Sequence, residues 1–454
     1  TLGAPWECMR WTQALEFYEP VPTEAAANDD LDLQLIWLKL LEDQGVDPSV
    51  AQLAEYWSRY AASYPWNEYG FFMRNHARGL RPPVAGCFEN YFVDEMGSPI
   101  RSEIWACLHA GDPQSAARMA WKDSALDHAG GEGMWGEMFW SALQAAAFVE
   151  SDPLVLIDIG LHMIPLSSHI ARSIREALWC WQNKLTWGDA RERIATRFGH
   201  IQPCNAVPNH GFTILGWLYG RDFGDRLCKA VNCGYDTDCT GATLGATLGI
   251  ISGTAGIPRK WIEPVGTKIV VHKFTRNFTP PATIDELTDR TVALAEKLAA
   301  QQQERRFGEA TQLPQDLRTR LFRNELARQA GALDIHAGVE LVGGRELWLH
   351  YGGEPVMRPG IGREIRITLG PDTPVDAELS VPASWSIQRL GQGRFLISTD
   401  ADVAPRNTLG VSVAGVGQAS FIILGPAEAK GFAAGDNVAK CPRCHARAEA
   451  CICG

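Results

Sequence analysis

The spacing of glycine in residues 232–253, NCGYDTDCTGATLGATLGIISG, constrains this chain more than any other stretch. Gly241, Gly245 and Gly249 recur every four residues, and residues four apart share one face of a helix. A face without side chains lets a second helix approach closely. The run therefore predicts a tightly packed helix inside an α-rich core. Asp236 and Asp238 stand just before it, with Thr237, Cys239 and Thr240 around them. Free amide groups and the positive end of the helix dipole favour anionic groups at such a start. A lone D-T-D is most often a helix cap. Carboxylate and hydroxyl oxygens converging on one spot also suit a hard cation such as Mg²⁺.

A second acidic cluster shifts the balance between those readings. Asn28, Asp29, Asp30 and Asp32 directly precede Leu33, Leu35, Ile36, Trp37, Leu38, Leu40 and Leu41. That helix is too apolar to lie anywhere but the core. Buried carboxylates that face one another repel, and such burial is tolerated when metal ions coordinate them. Two clusters, one per helix, would hold a pair of divalent cations between them.

The ordered blocks LGAPWE, NDDLD, GSPIRSEIWACLHAGDPQSAARMAWKDSALDH, GMWGEMFWSALQAAAF, HMIPLSSHIARSIREAL and GYDTDCTGATLGATLG together resemble the ADP-ribosylglycohydrolase family, over roughly residues 2–265. The resemblance implies an all-α catalytic fold with two Mg²⁺ ions (or Mn²⁺) in a central cleft. It also implies hydrolysis of an N- or O-glycosidic bond at the anomeric carbon of a ribose-like sugar. Carried onto this chain, it makes Glu7, Asp30 and Asp236 catalytic, and Asn28, Asp29, Asp30, Asp236, Asp238 and Thr240 the metal ligands. Asp127, His128, Gly133, Trp135, Asn209 and His210 become the expected substrate-binding set.

This sequence departs from the family pattern in two places. Cys239 stands where many members place a threonine metal ligand, and a neutral thiol is a poor Mg²⁺ ligand. Gly130, Gly131 and Gly133 would make an anion nest for a diphosphate, but the arginine of the family's Met-Arg pair is missing. Trp135, Gly136 and Glu137 occupy that neighbourhood. Two alternatives stand beside the hydrolase reading. One is a glycoside hydrolase acting on another carbohydrate, and the other is a non-catalytic ADP-ribose- or sugar-binding protein.

The length of 454 residues accommodates more than one domain. Residues 1–307 read as the helical catalytic domain and 308–332 as a linker or helix. Short alternating runs in 333–430, punctuated by Gly, Pro and Asp, read as an accessory β-sandwich. Dense aromatics around Trp57, Tyr60, Tyr64, Trp66, Tyr69, Phe71 and Phe72 are expected in the core, as are Trp179, Trp181 and Trp187. Residues 431–454 form a cysteine-rich tail. There Cys441, Cys444, Cys451 and Cys453 carry a spacing open to structural Zn²⁺ or to redox chemistry, while the other cysteines read as reduced core residues. A net charge of −11 with no basic stripe argues against nucleic acid or an anionic membrane as partner. The expected partner is a small glycoside or ADP-ribosylated substrate. The cytoplasm is the favoured compartment, with a removed leader left open, and the oligomeric state is not determined by the sequence.

Overall fold

The structure is a computed structural model that describes residues 2–61, 64, 67–301 and 316–430. Trp66 and the four tail cysteines, with their expected Zn²⁺, lie outside the described residues. The architecture is mainly α, followed by two antiparallel β-sheets.

The helices that position the site are α1 (Asp29–Gln44), α2 (Ser102–Leu108), α3 (Pro113–Ser124), α4 (Glu132–Ala147), α5 (Ala206–Tyr219), α6 (Phe223–Val231), α7 (Thr237–Ser252) and α8 (Ile284–Gln301). Local chemistry sets their starts. Asn28 Oδ1 accepts the Asp30 amide at 2.7 Å, and Asp112 caps α3 ahead of Pro113. Buried on almost every side, α4 is the central helix and packs against α2, α3, α5 and α7. Trp37, Trp57, Tyr69 and Phe72 fill the core beside α1. Trp179 and Trp181 do not: they are 43% and 38% exposed, because they lie on the outer face of an amphipathic helix, His169–Gln182.

The glycine face of α7 packs differently from the expectation of close backbone contact. A Cβ on Gly245 would lie 3.6 Å from Leu227 Cδ2, and one on Gly249 would lie 3.7 Å from Ile257 Cδ1. These are ordinary contacts, and the tighter approach at Gly241, where a Cβ would lie 3.0 Å from Val231 Cγ2, is also to a side chain, so the face receives side chains and not another backbone. Close helix approach occurs instead between α5 and α6. A Cβ on Gly216 would sit 2.5–2.7 Å from the Cβ, N and Cα atoms of Ala230.

Strands β1 (Ala337–Val342), β2 (Arg345–His350), β3 (Arg363–Leu369), β4 (Thr373–Pro374), β5 (Ala377–Ser380), β6 (Ser386–Gly391), β7 (Arg394–Ser398), β8 (Arg406–Val413) and β9 (Gly417–Leu424) follow. One sheet runs β1-β2-β3-β7-β6 with β4 on β3, and the other runs β5-β8-β9. Alternation sets the pairing: along β8, Asn407, Leu409, Val411 and Val413 are buried between more exposed neighbours. The sheets meet the helical part far from both acidic clusters in sequence. Val339 N donates to Pro82 O at 3.0 Å, and Arg81 pairs with Glu340.

Gly216→Ala is expected to destabilise the chain by about 1–3 kcal/mol through overpacking. Gly245→Ala should be neutral or stabilising, since alanine gains up to about 1 kcal/mol of helix propensity. Paired thermal or urea unfolding of the two variants checks the contrast.

Candidate metal centre

The N-terminal segment is fastened onto the start of α7. Thr237 Oγ1 donates to Gly3 O at 2.8 Å, Cys8 N donates to Tyr235 O at 2.9 Å, and Tyr235 N returns a bond to Met9 O at 2.7 Å. A Cβ on Gly3 would lie 1.9 Å from Thr237 O, so only glycine permits this contact. Asn232 clasps the same segment through the Leu15 backbone, and the Arg191 guanidinium donates to Arg10 O and Cys233 O. These contacts carry Glu7 to the acidic residues of α7.

The two aspartate clusters, some two hundred positions apart, converge. Carboxylate oxygens of Glu7, Asp236 and Asp238 lie within 4.8 Å of one another, and so do ligand atoms of Asp30, Asp238 and Cys239. Asp238 belongs to both groups and links them. Asp30, Asp236 and Asp238 are 8%, 2% and 5% exposed. Both carboxylate oxygens of Asp30, and Oδ1 of Asp236 and of Asp238, are buried without a hydrogen-bond partner. Asp236 occupies the N-cap of α7 yet makes no capping bond with its side chain. Capping therefore does not explain these residues. Orphaned, mutually repelling carboxylate oxygens are instead the donor set that a hard divalent cation satisfies.

The titration of the cluster reflects the same crowding. Burial, and then the charge of Asp238, pushes Glu7 up to about 8 and Asp29 up to about 7. Asp30 and Asp236 are driven well above the ordinary carboxylate range by the same two causes. Asn28 serves both clusters, since its Oδ1 caps α1 while its Nδ2 donates to Asp238 Oδ2 at 3.4 Å. Asp29 is half-buried, and among the described residues its carboxyl joins neither group of ligand atoms. Thr240 is buried with its hydroxyl turned back to Thr237 O at 3.3 Å, so Cys239 is the residue that faces Asp30 and Asp238. Asp32 points elsewhere, accepting from Tyr64, Thr275 and the His272 amide.

The residues expected to bind substrate are mostly interior. Asp127 is fully buried, takes a bidentate bond from Arg101, and lies 2.6 Å from His128 Nδ1. Asn209 is buried and accepts the Asp236 amide at 3.1 Å, which fixes the approach to α7. His210 is buried against Phe139 and Trp140, with Nδ1 on Ala206 O. Most of the glycine-rich loop's amides are engaged within the protein. The amides of Gly131, Glu132 and Gly133 bond to His128 O, Asp94 Oδ1 and Val93 O, and a Cβ on Gly130 would meet Ile335 at 2.4 Å. Trp135 packs toward Gly331 on the outer side of α4. Glu137 is buried and accepts from the Ser98 hydroxyl.

Sequence reasoning passed over Glu103, held by Gln34 and Gln144 beside Asp30. Polar residues at helical spacing carry no signal of such a partnership. A groove of about 920 Å³ opens beside Asn28 and Asp30. Its walls are mainly apolar side chains of α1, α2 and α8, including Leu31, Leu35, Ile104, Leu108, Leu287 and Leu298.

The sequence model of ADP-ribosylglycohydrolase matches residues 1–308, two-thirds of the chain. The chain belongs to the ADP-ribosylglycohydrolase family. Family membership supports a glycohydrolase-type function, and among the described residues no helix is long and apolar enough to cross a membrane. An uncharacterized protein of Archaeoglobus fulgidus is 24% identical over 192 residues, which is 42% of this chain. The match spans 58% of that relative's length. A solved structure titled "ADP-ribosylglycohydrolase-related protein complex" aligns with 66% of this chain and 92% of its own, at 17% identity and a TM-score of 0.45.

Raised carboxylates fix the sign of a pH effect. Asp29 has an ordinary value of 3.8 and a folded value of about 7, so across that window the folded chain keeps a proton that the unfolded chain loses. Stability without a cation should fall as pH rises from about 4 to about 7–8. Added Mg²⁺ should raise the melting temperature more at about pH 8 than at about pH 5. Thermal scans with EDTA and with Mg²⁺ check this.

Proposed function

We propose that this chain is a divalent-cation-dependent hydrolase of a glycosidic bond at the anomeric carbon of a furanose. The observation that carries this reading is the convergence of orphaned oxygens from Asp30, Asp236 and Asp238 at the starts of two helices. Together with Glu7 they would hold Mg²⁺ or Mn²⁺, with Asn28 and Asn209 orienting the aspartates. Such an ion, when bound, would lower the pKa of an attacking water and stabilise developing negative charge.

The chain's own groups account for the rest. Glu7 sits at the exposed edge of the cluster, where its carboxylate meets both Asp236 and Asp238 and is open to solvent. It is the group we assign to proton transfer during cleavage through an oxocarbenium-like state. Asp30 stands both in the cation cluster and on the apolar groove. A sugar held at the cluster would direct its leaving group into that groove.

Among substrate classes, the loop geometry favours a glycoside other than ADP-ribose. A diphosphate requires free amide or cationic donors, whereas the amides of residues 131–133 are already bonded within the protein. The groove walls suit an apolar or aromatic leaving group. ADP-ribosyl-arginine is the contrasting substrate.

Asp236→Ala and Asp30→Ala are each expected to lower Mg²⁺-supported turnover by about 100-fold, without lowering the melting temperature in EDTA, because each removes a buried carboxyl that lacks hydrogen-bond partners. An aryl-furanoside panel assayed beside ADP-ribosyl-arginine, with and without EDTA, checks the reaction and its substrate class. Undiminished hydrolysis by Asp236→Ala would overturn the mechanism. Tight sugar binding with no turnover would replace it with a binding function.

A further inference from the structure

Beside the hard-cation cluster lies a second group of donors with different chemistry. Cys8 Sγ is 4.0 Å from Cys204 Sγ and 3.9 Å from Glu7 Oε1. Ligand atoms of the three residues all fall within 4.8 Å of one another. The two sulfurs are 196 positions apart in sequence and are brought together only by the fold. Cys8 is exposed and Cys204 half-buried, so the group is open to solvent. Both cysteines were expected to be core residues, and neither placement serves core packing.

From these atoms we propose a thiolate-containing site for a soft divalent cation such as Zn²⁺, with Cys8, Cys204 and Glu7 as its three protein ligands. Tetrahedral Zn²⁺ with Zn–S near 2.3 Å and Zn–O near 2.0–2.2 Å spaces its ligands roughly 3.5–3.8 Å apart. The observed 3.9 and 4.0 Å separations need a contraction of only a few tenths of an ångström. A disulfide would instead require the sulfurs to close by about 2 Å. The backbone on both sides is fastened. Cys8 N is bonded to Tyr235 O, and Cys204 O accepts the Met96 amide at 2.9 Å. Binding would release the thiol protons to solvent and leave one coordination position for water.

The site is distinct from the aspartate cluster in donor type, since carboxylates suit Mg²⁺ and thiolates select Zn²⁺ or Cd²⁺. Glu7 belongs to both groups. A soft cation would therefore compete with the neighbouring cluster for one carboxylate. The proposal itself stands independently of the hydrolytic reading, because its test reads metal binding and not turnover.

The test uses the full-length, reduced, cation-stripped chain titrated with Cd²⁺, following thiolate-to-Cd²⁺ absorption and bound metal per chain. Cysteines 441, 444, 451 and 453 stay in place throughout and give a constant background. Cys8→Ser and Cys204→Ser should each bind one Cd²⁺ fewer per chain than wild type, with an unchanged melting temperature in EDTA. A variant that melts lower is replaced by its Cys→Ala counterpart, for which the same loss is expected. Equal stoichiometry in wild type and both variants would overturn the site. Recovery of a Cys8–Cys204 disulfide from protein isolated without reductant, with no Cd²⁺ lost in either variant after reduction, would also overturn it.

Discussion

Like-charged carboxylates placed out of reach of water are the constraint on which the rest of this structure depends. Asp30, Asp236 and Asp238 are buried, close together and short of hydrogen-bond partners. In the absence of a counter-ion, such a cluster lowers its energy by keeping protons, and the upward shifts of Glu7, Asp29, Asp30 and Asp236 show that response. A fold that holds these groups together is strained electrostatically until positive charge arrives. The neighbouring helices supply part of the compensation, because the aspartates sit at helix starts where the dipole favours negative charge.

Much of the surrounding architecture serves to hold that arrangement still. Asn28 ties α1 to Asp238, and Asn209 fixes the amide of Asp236. Gly3, Tyr235, Asn232 and Arg191 fasten the N-terminal segment, so that Glu7 reaches the cluster from a stretch with little regular structure. Arg101, fully buried with Asp123 and Asp127, anchors the layer behind it. Desolvation offsets much of the attraction in a buried ion-pair network of this type, so it is weak evidence of net stability. The chemistry at the front of the molecule therefore rests on polar contacts behind it.

The helical architecture and the placement of carboxylates at two helix starts were legible in the sequence, because both are written in local pattern. An apolar run preceded by N-D-D-L-D, and D-T-D preceding a run of small residues, specify helix starts with carboxylates on them. The short strands were legible from alternation, apart from β1, with its small residues, and the two-residue β4. Contacts made between distant segments were not legible. Spacing alone cannot show that α7 offers its glycine face to side chains, or that Gly216 is a position of close helix approach. Nor does it show that the amides of residues 131–133 are bonded within the protein, or that Cys239 and not Thr240 faces the aspartates. The pairing of Cys8 with Cys204 was equally hidden, since each cysteine taken singly resembles a core residue. Exposure of Trp179 and Trp181 was missed for a related reason: bulk predicts burial on average but not the face of a particular helix.

Anomalous scattering from crystals of the chain grown with Mn²⁺ addresses the central claim most directly. The account predicts a difference peak about 2.0–2.2 Å from carboxylate oxygens of both Asp30 and Asp238, joining the starts of α1 and α7. A fully occupied map with Mn²⁺ elsewhere and none between these two helices would contradict it.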